Sequence, residues 1–150
     1  MSNILIIGYG NPLREDDAAG FLAAEKLAEI YAKDDSIEVM PLIQLTPELA
    51  EPISRAKLVV FIDTALEGAP GHILIEEIGI TGNGSGSHAH DLRPAAIMQM
   101  AKSLYSQSPK AYLITITGLN FGLKQGLTET LHNRLSDLIQ TVTDVTANYK

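Results

Sequence analysis

The stretch "NILIIGYGNPLREDDAAG", residues 3–20, changes its hydrophobic rhythm twice. Residues 3–7 are almost continuously apolar, the pattern of a strand buried on both faces. Gly8, Tyr9 and Gly10 then make a turn, and residues 18–31 predict a helix whose apolar face is Phe21, Leu22, Leu27, Ile30 and Tyr31. Strand, glycine turn and helix together open an α/β unit. A turn of this kind commonly offers its backbone N–H groups to a phosphate. Here, however, the helix begins with Glu15, Asp16 and Asp17, which would repel an anion. Complementing the positive end of the helix dipole accounts for one or two acids. A third adds like-charge repulsion that capping does not call for. Leu13 also stands where the dinucleotide fingerprint has its third glycine, which counts further against a nucleotide.

Further along, strands are predicted at 36–44, 58–65, 72–78 and 111–118, and helices at 46–56, 94–105 and 127–146. Pro41 marks the second strand as an edge or a bulge. In the second helix Thr46 is the expected N-cap and Pro47 opens the first turn, while Pro52 is expected to kink or divide it. The last helix presents Leu131, Leu135, Leu138, Ile139 and Val142 inward. Alternation of strands and helices predicts an α/β fold with a mostly parallel sheet covered on both faces. The link from Asp63 to His72 is too short for a helix, so strand 72–78 is expected to run antiparallel to its neighbour.

At 150 residues the chain reads as one domain, residues 1–150, able to bury about 70% of its unfolded surface. Its 11 basic and 18 acidic residues give a net charge of -7, with no basic block. That balance argues against nucleic acid or an anionic membrane as partner and for a cation or a basic polypeptide stretch. Absence of cysteine removes disulfides, thiolate metal sites and a cysteine nucleophile together. The run "ILIIG" is too short for a signal core, and no apolar run nears the roughly 20 residues of a membrane span. A cytoplasmic location is the expectation.

Open sheets of this class bind ligands beyond the carboxyl ends of their strands, at a topological switch point. Three segments are expected there: the turn 8–17, Asp63 with Thr64, and the Gly/Ser/His loop "TGNGSGSHAHD", residues 81–91. Asp63 closes the apolar run Val-Val-Phe-Ile, a position that serves equally for a ligand or for capping the next turn. His88 and His90, taken alone, read as an ordinary polar loop, and His72 and His132 read as structural. Ser85 and Ser87 sit near the histidines but lack the strand-turn-helix elbow of a nucleophilic serine. Taken together, two carboxylates from two strand ends and one loop imidazole form an incomplete ligand set for a borderline divalent ion. Imidazole points to nickel, zinc or copper rather than magnesium. A cation would explain the acids that a phosphate cannot.

The segments "IGYGNPLREDDAAG", "VVFIDTALEGAPG", the histidine loop before "PAAIMQMA", and "ITGLNFGLKQGLTETL" occur in the order seen in hydrogenase maturation proteases, and the chain resembles that family over essentially its whole length. The resemblance implies a three-layer α/β/α sandwich around a twisted, mainly parallel five-stranded sheet with one antiparallel strand. It implies a nickel-dependent processing peptidase that removes the C-terminal extension of a nickel-iron hydrogenase large-subunit precursor. Nickel would be brought by that precursor and sensed by two acids and a histidine. Carried onto this sequence, those are Asp17, where many relatives have Glu, then Asp63, then His90, with His88 as alternate or accessory ligand. Three other functions share these residues: a metallohydrolase holding its own metal, a non-catalytic nucleotide-binding module, and a metallochaperone. Composition does not separate the last from a protease; the resemblance does.

Overall fold

The apolar runs become strands β1 (Ile4–Tyr9), β2 (Ile37–Leu42), β3 (Leu58–Ala65), β4 (Ile73–Glu77) and β5 (Lys110–Thr117) in a computed structural model that describes residues 3–79 and 92–149. They form one five-stranded sheet in the order β2-β1-β3-β5-β4. All neighbours are parallel except β4 and β5. The short link after β3 skirts the carboxyl end of β5, where Gly71 N–H donates to the Thr117 carbonyl at 2.7 Å. Strand β4 is thereby delivered antiparallel to the far edge. Strand β2 is the other edge, and Pro41 sits in it opposite Gly8, where it has a neighbour on one side only.

Helices α1 (Ala19–Ile30) and α4 (Glu129–Tyr149) cover one face; α2 (Ala50–Arg55) and α3 (Pro94–Tyr105) cover the other. Strand alternation assigns the two cores. Ile4, Ile6, Val60, Ile62 and Ile114 pack with Ala23, Leu27, Leu138 and Val142. Leu5, Ile7, Val59, Phe61 and Leu113 pack with Ile53, Ile97 and Met98. Among the described residues no helix is long and apolar enough to cross a membrane.

Three local expectations are corrected. The buried face of α1 is Ala19, Gly20, Ala23, Ala24 and Leu27, whereas Phe21 and Leu22 are half-buried and Ile30 is 56% exposed. The helix lies too near the sheet for large side chains. A Cβ at Gly20 would stand 2.4 Å from the Ile62 carbonyl oxygen and 2.6 Å from that of Tyr9. Thr46 does hold the N-cap position with Pro47 opening the turn, but its side chain makes no capping bond and the turn at Pro47–Leu49 is 3-10. Pro52 divides nothing, because it lies in the first turn of α2, where N–H groups have no helical acceptor anyway.

The close approach of α1 makes a quantitative expectation. Gly20→Ala must push the helix off the β1–β3 backbone and is expected to cost about 3 kcal/mol. Urea unfolding of the variant measures it, and a loss below about 1 kcal/mol would show that the helix can slide without penalty.

Candidate functional site

Because the chain leaves β1 toward β2 on one side and returns to β3 on the other, the crevice between the carboxyl ends of β1 and β3 is the switch point of this sheet. The turn that follows β1 lies there. Gly10 has φ +152°, and a Cβ on it would fall 1.9 Å from the Asp17 carbonyl oxygen, so the turn closes on itself only with glycine. Glu15 is held at φ +47° by its N–H on the Lys124 carbonyl at 2.8 Å, beside a parallel bridge between Arg14 and Lys124.

Accounting for the backbone donors of this turn settles what it is not. Gly10 N–H goes to the Leu42 carbonyl, Arg14 to Asn11, Glu15 to Lys124, Asp16 to Asn120 and Asp17 to Arg14. Asn11 N–H goes to Asp17 Oδ2 at 2.8 Å, and Leu13 N–H to Asn11 Oδ1 at 2.9 Å. Pro12 has no N–H to give. Every donor from 10 to 17 is taken by the protein itself, two of them by side chains, so none is left for a phosphate. The nucleotide-binding module loses its anchor.

Asp16 and Asp17, expected at the head of one helix, part company here. Asp16 is fully buried and reaches sideways rather than capping α1. Its Oδ2 accepts from Leu119 N–H (2.8 Å) and Asn120 N–H (3.2 Å), and its Oδ1 from Thr128 N–H (2.8 Å). The Thr128 hydroxyl approaches both oxygens. Asp17 is half-buried at the crevice, with one oxygen on Asn11 N–H. The dipole-capping expectation therefore fails for Asp16, whose charge is answered by the loop after β5.

Asp63, at 3% exposure, continues the Val59–Phe61 face of β3. Its Oδ2 accepts from the Tyr9 hydroxyl at 3.1 Å and its Oδ1 from Thr64 N–H at 2.7 Å. The next residue, Thr64, points its hydroxyl to the opposite face and donates to the Asp16 carbonyl at 2.9 Å. That buried bond ties the segment carrying Asp17 to the strand end carrying Asp63. Both are carboxylates, side chains whose chemistry suits a cation or a proton transfer. His88 and His90 lie outside the described residues. Among the described residues no group of three or more His, Asp or Glu stands together as a metal site. His72 is exposed at the start of β4. His132 lines a groove of about 630 Å³ with Leu22, Glu25, Pro41, Leu127 and Leu135, on the α1–α4 side of the sheet.

Sequence reading placed the segments of Tyr9 and Thr64 at the site without giving either residue a role, and missed Thr128. Tyr9 was legible in principle, since alternation through Leu5 and Ile7 puts it on the Phe61 face, one step past the Gly8–Ile62 pair. Tyr9→Phe is expected to lower stability by about 1 kcal/mol by removing a buried donor from Asp63. Equal urea midpoints for the two proteins would mean that the bond is worth nothing.

No family model matches the chain, and no curated protein matches its sequence. Solved structures do match its fold. Hydrogenase maturating endopeptidase HybD from E. coli superposes on 99% of this chain and 94% of its own, with TM-score 0.78 and 19% identity. The NiFe hydrogenase maturation protease HycI from Thermococcus kodakarensis KOD1 covers 96% of this chain and 92% of its own, at TM-score 0.75 and 25% identity. HybD from Thermococcus kodakarensis covers 97% and 99%, at TM-score 0.68 and 18% identity. These coverages describe complete folds rather than one shared strand-helix-strand unit.

Proposed function

We infer that the chain belongs to the hydrogenase maturation protease family and is an endopeptidase that removes the C-terminal extension of a nickel-iron hydrogenase large-subunit precursor. One observation carries this: the chain shares its whole fold with named maturation endopeptidases and brings the turn of Asp17 and the strand end of Asp63 together at the switch point of that fold. A cytoplasmic location goes with it.

The finer reading is that nickel arrives as cargo of the precursor and is sensed by Asp17, Asp63 and His90, with His88 as alternate. Two carboxylate oxygens and an imidazole nitrogen suit that ion, and they leave room for ligands from the substrate. The Tyr9 hydroxyl and Thr64 N–H on Asp63 support the reading, since ligand carboxylates are held in orientation by partners of this kind. An acidic chain of net charge -7 also draws a cationic center toward it. Contact with the ion would place the scissile bond at the crevice, and orientation alone can lower a barrier by several kcal/mol.

The test is incubation with nickel-loaded large-subunit precursor and mass measurement of the product. Loss of a C-terminal peptide supports processing. A stable complex with an intact precursor would instead identify a docking or metal-delivery protein.

A further inference from the structure

We propose that Asp16 is a positioning residue: it locks the loop between β5 and α4, residues 118–128, to the turn that carries Asp17 and the strand end that carries Asp63, so that the loop meets the precursor in fixed register with both carboxylates. The proposal rests on the processing reading above and concerns a residue outside its ligand set.

Asp16 touches three parts of the crevice at once. Its carboxylate takes Leu119 N–H, Asn120 N–H, Thr128 N–H and the Thr128 hydroxyl, which are the two ends of the loop. Its own N–H donates to the Asn120 carbonyl at 3.1 Å, and its carbonyl receives the Thr64 hydroxyl. The middle of the loop is fastened to the same turn: Glu15 N–H holds the Lys124 carbonyl, and Arg14 Nη2 donates to the Phe121 carbonyl at 3.1 Å. The fit is tight enough that a Cβ on Gly118 would come within 3.0 Å of the Asp16 Cβ.

A carboxylate with no exposed surface and only neutral donors is a costly way to close a loop unless the loop must hold one shape. What the loop presents gives the reason. Leu119 is 50% exposed and Leu123 is 89% exposed, on a segment otherwise tied down at both ends and in its middle. Apolar side chains held out on a fixed loop are prepared for contact with a polypeptide, because their ordering cost is met before binding. The loop adjoins the crevice through Asp16 itself, so a precursor reaching Asp17 and Asp63 passes it.

Asp16→Asn tests this directly. All the carboxylate's backbone partners are donors, so the amide NH2 of Asn faces an N–H in either orientation. Amide hydrogen exchange in 118–128 is expected to quicken by at least about tenfold while β1, β3 and β5 stay protected. Processing of nickel-loaded precursor is expected to fall about tenfold in kcat/KM, with the loss in KM. Thr128→Val, which removes the hydroxyl but keeps the N–H, is expected to act in the same direction, and Thr128→Ser to restore wild-type KM. This pair stands in should Asp16→Asn not fold. Unchanged loop exchange, a loss confined to kcat, or failure of Ser to restore KM each overturns the proposal. Should the wild-type protein not cleave the precursor, the processing reading fails by itself, and the exchange comparison alone decides whether Asp16 is the lock.

Discussion

Asp63→Asn is expected to reduce processing of nickel-loaded precursor by at least ~100-fold, about 2.7 kcal/mol of transition-state stabilisation, while the fold stays intact. The change removes a negative charge and half the oxygen donors from one strand end but keeps the shape of the side chain. The Tyr9 hydroxyl and the Thr64 N–H both tolerate the amide. The Asn carbonyl can still accept Thr64 N–H, and the Tyr9 hydroxyl can turn to accept from the new NH2. The stability cost is therefore expected within about 1 kcal/mol. Asp17→Asn is expected to behave alike, since Asp17 is half-buried and its Asn11 N–H bond survives on the amide oxygen. Asp16→Asn should not, because donors surround that carboxylate and an amide must leave one of them opposed. A cost of about 2 kcal/mol is expected there. Kinetics and urea unfolding thus separate neighbouring acids into two that sense and one that holds. Processing by Asp63→Asn within a few-fold of wild type would remove Asp63 from the site.

Much of this architecture can be read from residue pattern, and the places where reading stops have physical reasons. Strand β3 was legible to the residue because a run buried on both faces leaves no doubt about period, and its terminal Asp63 marked the crevice. The antiparallel β4 followed from loop length alone. The buried face of α1 was misread because large residues count most in a periodicity, whereas here closeness of helix to sheet selects Gly20, Ala23 and Ala24. Propensity rules could not divide the acids either. Asp16 and Asp17 are adjacent, and only the tertiary position of residues 119–128 turns one into a buried anchor. The glycine turn after β1 suggested a phosphate site in sequence, whereas its donors are already taken by carbonyls and by the side chains of Asn11 and Asp17.

Nickel-free precursor is expected to be cut at least ~1000-fold more slowly than nickel-loaded precursor, and this follows from charge. Docking a polypeptide over Asp17 and Asp63 takes two carboxylates further out of water, one of them already at 3% exposure. Taking carboxylates further out of water costs about 4 kcal/mol, which converts to roughly a thousandfold, unless the incoming polypeptide brings positive charge with it. A divalent ion carried by the substrate offsets that cost, and discrimination then needs no separate recognition of the cofactor. The same arithmetic makes the free protein a weak nickel binder. Two carboxylates held by their own hydrogen bonds and one imidazole give the ion fewer ligands than it wants until the precursor contributes its share. Purified protein dialysed against a chelator should therefore carry little metal and still trim loaded precursor at full rate. Equal cutting of loaded and nickel-free precursor would refute sensing. Tightly held stoichiometric metal, with activity lost on its removal, would make the chain a metallohydrolase that owns its ion rather than one that inspects another protein's.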